Sequence, residues 1–215
     1  MNSKIKKLST MAMLSALAYI TMVVCRIPIV LFLKYEPKDV IIVIAGFLFG
    51  PMSAFLISLL VSLIEMVTVS ETGIIGCIMN LISTCAFVCP AAFIYKKKHS
   101  IAGAALGLSV GCILMTVGML LWNYLITPLY MGVPREAVAE MLLPVFLPFN
   151  LLKGILNLSI TLLLYKPIVT TLRKTRLVPV SESSGGRIGK KGILLMAAFM
   201  LITCILLILV WTNII

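Results

Sequence analysis

Apolar residues fall in long unbroken runs, and polar residues collect in the short intervals between them. The runs cover Leu8 to Cys25, Val40 to Phe49, Met52 to Val69, Ile74 to Tyr95, Ala102 to Ile126, Met141 to Tyr165 and Ile193 to Ile214. A helix needs roughly 20 apolar residues to cross a hydrocarbon core of about 30 Å. All but the second run approach or exceed that length. The runs are continuous rather than alternating, which argues against a membrane β-barrel. The second run is too short to cross alone, and Gly50-Pro51 marks a tight turn behind it, so a short or tilted helix is expected there.

With 61% hydrophobic and 12% charged residues in 215, the chain holds more apolar surface than a soluble domain of this size buries. Lipid is the solvent it requires. The net charge of +11 does not point to nucleic acid, because Lys and Arg lie between the runs rather than on one basic face. They report orientation. With the N-terminus in the cytoplasm, 13 of the 18 basic residues fall on the cytoplasmic side, including Lys4, Lys6, Lys7 and the run Lys96 to Lys98. Arg26, Lys34, Lys38 and Arg135 fall outside, and Lys153 lies within a span. A multi-pass protein of the bacterial inner (plasma) membrane is expected.

The first segment carries the basic and apolar regions of a signal peptide, but no small-residue cleavage pattern precedes Cys25, so it reads as a retained helix. The six cysteines mostly sit in apolar runs and read as small buried hydrophobes. Cys85 and Cys89 share a helical face without His, Asp or Glu nearby, so packing is favoured over a metal site. Val180 to Gly189 is rich in Ser and Gly and reads as a cytoplasmic linker. Its Gly185, Gly189 and Lys190 resemble a phosphate-binding loop only in part, because the glycine spacing is one residue short and Lys191 stands where Ser or Thr is needed. The expected division is a membrane domain over 1–176, a linker over 177–191 and an additional transmembrane helix over 192–215, serving as an anchor or a docking element.

Polar groups inside spans are costly, roughly 2.5–3.5 kcal/mol for a central Lys or Asp on insertion scales, and so attract a functional reading. Glu65, Asn80, Asn123, Asn150 and Lys153 all fall toward the outer ends of their antiparallel spans. Asn150, Lys153 and Asn157 are spaced i, i+3, i+7 and share a helical face. These groups either satisfy one another, for instance through a Lys153–Glu65 ion pair, or line a cavity open to the exterior. Trp122, Tyr124, Tyr130, Phe146 and Phe149 lie at similar depth and favour a cavity with flat walls for a planar heterocycle. Tyr130 serves equally well as an interfacial anchor. The loop from Arg26 to Asp39 holds the apolar run Ile29 to Leu33, which reads as a lid or as a segment packed on the bundle. Small residues at four-residue spacing, Ala12 and Ala16 on the first helix and Gly103, Gly107 and Gly111 on the fifth, permit close helix contacts, within the bundle or with a partner. No Ser-His-Asp, His-Glu-x-x-His or paired-carboxylate pattern appears, so an enzyme is not expected.

In its motifs the chain resembles the substrate-binding S components of energy-coupling factor (ECF) transporters, and among them the riboflavin-specific group. The likeness runs from about Lys7 to Lys174. It includes Ala12-x-x-x-Ala16, the stretch Leu33-Lys34-Tyr35-Glu36-Pro37-Lys38-Asp39-Val40, and the turn Phe47-Leu48-Phe49-Gly50-Pro51. It also includes Asn123-Tyr124, Pro128-Leu129-Tyr130 and Pro148-Phe149-Asn150-Leu151-Leu152-Lys153-Gly154. The chain departs from the family in a shorter, less proline-rich first external loop and in its seventh span.

The resemblance implies an all-α integral membrane protein, a six-helix S-component bundle with one extra C-terminal transmembrane helix. It implies high-affinity capture of riboflavin as transported ligand, with no cofactor, and docking on a coupling protein and two ATPase subunits. It assigns flavin hydrogen bonds to Asn123, Asn150 and Lys153, cover to Leu33, Lys34 and Tyr35, and the coupling-protein contact to Ala12 and Ala16. Glu65 and Asn80 complete the candidate ligand-binding set. Other S components bind thiamine, folate, biotin or pantothenate, and a membrane scaffold with a structural polar core is the alternative outside the family.

Overall fold

The computed structural model describes residues 3–30, 33–70, 72–174 and 190–211. The chain runs α1 (Ser3–Val24), β1 (Ile27–Val30), β2 (Leu33–Tyr35), α2 (Lys38–Phe49), α3 (Pro51–Thr68), α4 (Gly73–Lys97) and α5 (Ile101–Met131). There follow α6 (Arg135–Met141), a π-helical turn (Leu142–Phe146), α7 (Leu147–Lys174) and α8 (Lys190–Trp211). Among the described residues, six helical stretches are long and apolar enough to cross a membrane, with α6 to α7 counting as one. The protein is thus a multi-pass all-α membrane protein. The linker expected over Val180 to Gly189 lies outside the described residues.

The exception in length is α2. Its 12 residues rise only about 18 Å, so it cannot span the membrane. It is also buried nearly all round, with Val40, Ile42, Val43, Ile44, Ala45 and Phe47 in the core. A helix apolar on every face belongs at the centre of a bundle, and α1, α3, α4 and α7 pack around this one. At its end Gly50 adopts φ 91°, a conformation that glycine alone reaches without strain. Pro51 then opens α3, where its fixed φ suits the first helical position.

Close packing of α4 on α5 depends on absent side chains. A Cβ on Gly111 would stand 2.2 Å from the Phe87 carbonyl oxygen, and one on Gly107 2.8 Å from that of Ala91. The glycine stripe therefore serves contacts inside the bundle. Helix α5 starts on Ser100, whose Oγ accepts from the Gly103 N–H at 3.0 Å, and ends on left-handed Gly132. The π turn contains Pro144, which has no N–H to give the regular ladder, so the chain widens there.

The hairpin of β1 and β2 pairs Ile27 with Tyr35, Pro28 with Lys34, and Val30 with Leu33. Ile29, Leu33 and Tyr35 join a second apolar cluster with Val138, Phe146, Phe149, Leu152, Leu156 and Cys204. The hairpin therefore lies against the end of the bundle formed by α6, the π turn and α7. On the outer surface large apolar residues such as Leu17, Leu60, Leu114 and Phe199 are exposed, as expected of surfaces that meet acyl chains.

Candidate ligand-binding site

A cavity of about 300 Å³ opens at the end of the bundle away from the N-terminus, at the lower bound of the roughly 300–1,000 Å³ typical of small-molecule sites. Leu33 and Lys34 from the hairpin, Glu65 from α3, Asn80 from α4, Asn123 from α5, and Asn150 and Lys153 from α7 all line it. Antiparallel helices thus bring the polar residues to one level. Of the candidate ligand set only Tyr35 is not in the lining. Its side chain is buried, and its hydroxyl donates to Asn157 Oδ1 at 3.0 Å, so it fastens the hairpin to α7.

Among the described residues, Trp122, Tyr130 and Phe149 give the cavity flat walls. Tyr124 instead faces outward, 40% exposed, and Phe146 is fully buried in the apolar cluster behind the wall. Tyr124 and Phe146 share the depth of the site but project from other faces of their helices.

Two ionic networks frame the cavity. In the first, Arg26 Nε donates to Glu36 Oε1 at 2.7 Å and Arg26 Nη2 to Glu65 Oε1 at 3.1 Å. Lys38, only 1% exposed, donates to Glu65 Oε2 at 2.5 Å and lies 2.7 Å from Glu36 Oε2. Asn80 Nδ2 completes the coordination of Glu65 at 2.8 Å. In the second, Asp39 is fully buried at the start of α2, where the helix dipole favours an acid. Its Oδ1 accepts from Thr84 Oγ1 at 2.8 Å, and its Oδ2 accepts from Asn157 Nδ2 at 3.1 Å. Lys153 Nζ lies 3.6 Å from Asp39 Oδ2 and donates to Ser83 Oγ at 3.4 Å.

A Lys153–Glu65 pair is therefore not formed. Glu65 is held by Arg26 and Lys38, and Lys153 by Asp39, because the first turn of α2 stands between α3 and α7 and supplies both counter-ions. Arg26, Lys38 and Lys153 balance Glu36, Asp39 and Glu65, so these networks carry no net charge. Burial alone would raise the Glu36 carboxyl, but the Lys38 charge and hydrogen bond, with Lys153 and Arg26, hold it below the usual carboxylate range.

The amides are not all engaged. Asn123 is 1% exposed, and its Oδ1 accepts from Thr127 Oγ1 at 3.0 Å. Its Nδ2 has no hydrogen-bond partner among the described residues. A buried orphan donor in a cavity wall is a place prepared for an acceptor. Asn150 Nδ2 donates to the Phe146 carbonyl at 2.7 Å across the π turn, which leaves its oxygen to accept.

A family profile described as ECF transporter, substrate-specific component, matches residues 6–165. The chain belongs to this family. It is 31% identical over 164 residues to the riboflavin transporter FmnP of Bacillus subtilis, covering 71% of this chain and 86% of the relative. It is 30% identical over 180 residues to the riboflavin transporter RibU of Streptococcus thermophilus, covering 79% and 85%. A solved structure described as the S component of a bacterial ECF transporter superposes with a TM-score of 0.67 at 28% identity, covering 79% of this chain and 99% of that one. The matched profile begins within α1, ends within α7 and does not reach α8.

Sequence reasoning about this S component missed Arg26, Glu36, Lys38 and Asp39 as site residues by treating them as external loop charges. A signal was present. Glu36, Lys38 and Asp39 alternate in sign immediately before an apolar run, while Glu65 lies inside a span and needs a counter-ion.

Proposed function

We propose that this S component captures riboflavin on the external side of the membrane and delivers it to an ATP-driven import module. The observation that carries the reading is the Asn123 amide donor, buried without a partner among the described residues in a cavity walled by Trp122, Tyr130 and Phe149. A flavin brings what these groups lack. Its tricyclic ring offers flat apolar faces, its imide edge offers carbonyl acceptors and an N–H donor, and its ribityl chain offers hydroxyls. Asn123 would donate to an acceptor, Asn150 would accept, and Lys153 would supply a charged donor held in place by Asp39 and Ser83. The two ionic networks are neutral between themselves and Lys34 adds a positive charge to the lining, so a cationic ligand such as thiamine would meet no spare counter-charge. The relatives named as riboflavin transporters support the same reading.

The start of α1 and the Lys96–Lys98 turn lie at the bundle end opposite the cavity, and the positive-inside bias assigns that end to the cytoplasm. ATP hydrolysis belongs to partner subunits. Ala12 and Ala16 are exposed on α1, a small-residue face on which a transmembrane coupling protein would dock closely. Mass spectrometry of small molecules released from the purified protein tests the cargo. Riboflavin in near-stoichiometric amount is expected, and another vitamin in its place would overturn the assignment.

A further inference from the structure

The family profile stops at residue 165, and α8 has no part in the reading so far. Its inward residues are Ala197, Leu201, Cys204 and Ile208, spaced i, i+4, i+7 and i+11 along one helical face. Ala197 joins the main core, and α8 packs chiefly on α7. Farther along, the same face meets the β1–β2 hairpin. Cys204, 4% exposed, belongs to the apolar cluster built from Ile29, Leu33 and Tyr35 of the hairpin and Phe149 of α7, and Leu201 and Ile208 pack against it. Helix α8 also contacts β1 directly. Two members of that cluster, Leu33 and Phe149, are walls of the cavity.

A two-stranded hairpin is marginal by itself in water and keeps its position only through packing. This one is tied to the bundle by the Tyr35–Asn157 hydrogen bond and by the apolar cluster that α8 completes from the lipid side. We propose that α8 is a backstop for the lid, holding the hairpin against the cavity and slowing escape of bound vitamin. The proposal rests on the riboflavin reading for its ligand. A backstop acts on the closed state, so it changes the release rate more than the association rate.

The test compares Leu201→Ala/Ile208→Ala with Ile205→Ala/Leu206→Ala, a lipid-facing pair 46% and 50% exposed, in the full-length protein in lipid nanodiscs. Stopped-flow recovery of riboflavin fluorescence gives the release rate, and hydrogen exchange of the hairpin amides in the ligand-free protein reports lid opening. The inward pair is expected to release roughly tenfold faster, with association changed less than about twofold, and to exchange faster in the hairpin. The lipid-facing pair is expected to match the unaltered protein. Release at the unaltered rate from the inward pair overturns the proposal, as does equal acceleration by the lipid-facing pair. Should the inward pair not fold, Ile208→Val keeps the test open: roughly twofold faster release is expected, and none overturns it. If the unaltered protein binds no riboflavin, the cargo reading fails by itself, and hairpin exchange in the ligand-free inward pair still decides the role of α8.

Discussion

Replacing Asn123 by leucine separates a ligand-directed amide from a structural one. Asn123 Nδ2 has no partner among the described residues of the ligand-free protein, and a buried unsatisfied donor costs about 1–3 kcal/mol. Bound riboflavin removes that cost by offering an acceptor. Leucine has a similar volume and no polar atom, so it removes both the cost in the empty protein and the donor in the complex. Thr127, which now donates to Asn123 Oδ1, can turn to the backbone carbonyl four residues back. Asn123→Leu is therefore expected to leave ligand-free stability unchanged or raised, and to weaken riboflavin binding about 5- to 150-fold, the same 1–3 kcal/mol. Flavin-fluorescence titration and ligand-free thermal unfolding in one detergent give the two numbers. The companion Asn150→Leu loses a hydrogen bond across the π turn, so it should lower both stability and affinity. Unchanged affinity in Asn123→Leu, or a ligand-free destabilisation as large as the affinity loss, would refute the reasoning.

Three further outcomes follow from the same geometry. Lys38→Met leaves Arg26 as the one cation that Glu36 and Glu65 contact among the described residues, and a broken buried network of this kind should cost about 3–5 kcal/mol in reversible unfolding. Gly111→Ala sets a methyl against the Phe87 carbonyl and should destabilise by roughly 1–3 kcal/mol through separation of α4 and α5, read as a lower thermal midpoint. Glu36 has a folded pKa below its unfolded value, so its contribution is complete above the ordinary carboxylate pKa of about 4.3 and is lost as the pH falls through the lower folded value. A pH series of unfolding should show this acid-side loss diminished in Glu36→Gln and no corresponding change above neutrality.

Spans and cavity residues were legible because each departs from a strong local pattern. A run of apolar residues of membrane length has few other readings, and Asn123, Asn150 and Lys153 stand out as polar groups within such runs. Their shared depth followed from antiparallel order alone. The networks were less legible because pairing depends on which helix ends meet. Lys38 and Asp39 look like solvated loop residues until α2 is known to be a short central helix whose first turn lies between α3 and α7. Tyr35 sits in the right segment, but its hydroxyl reaches Asn157 of α7 and its ring joins the apolar cluster. Pro144 marks where the ladder must break, but not whether the helix kinks, stops or widens into a π turn.

The central claim is that the cavity beneath the hairpin is a riboflavin site, and equilibrium titration of riboflavin with the purified full-length protein tests it most directly. The account predicts saturable fluorescence quenching with an equivalence point of one flavin per chain, undiminished by excess thiamine, folate, biotin or pantothenate. Absence of quenching at micromolar protein, or displacement of flavin by one of those vitamins, would contradict it.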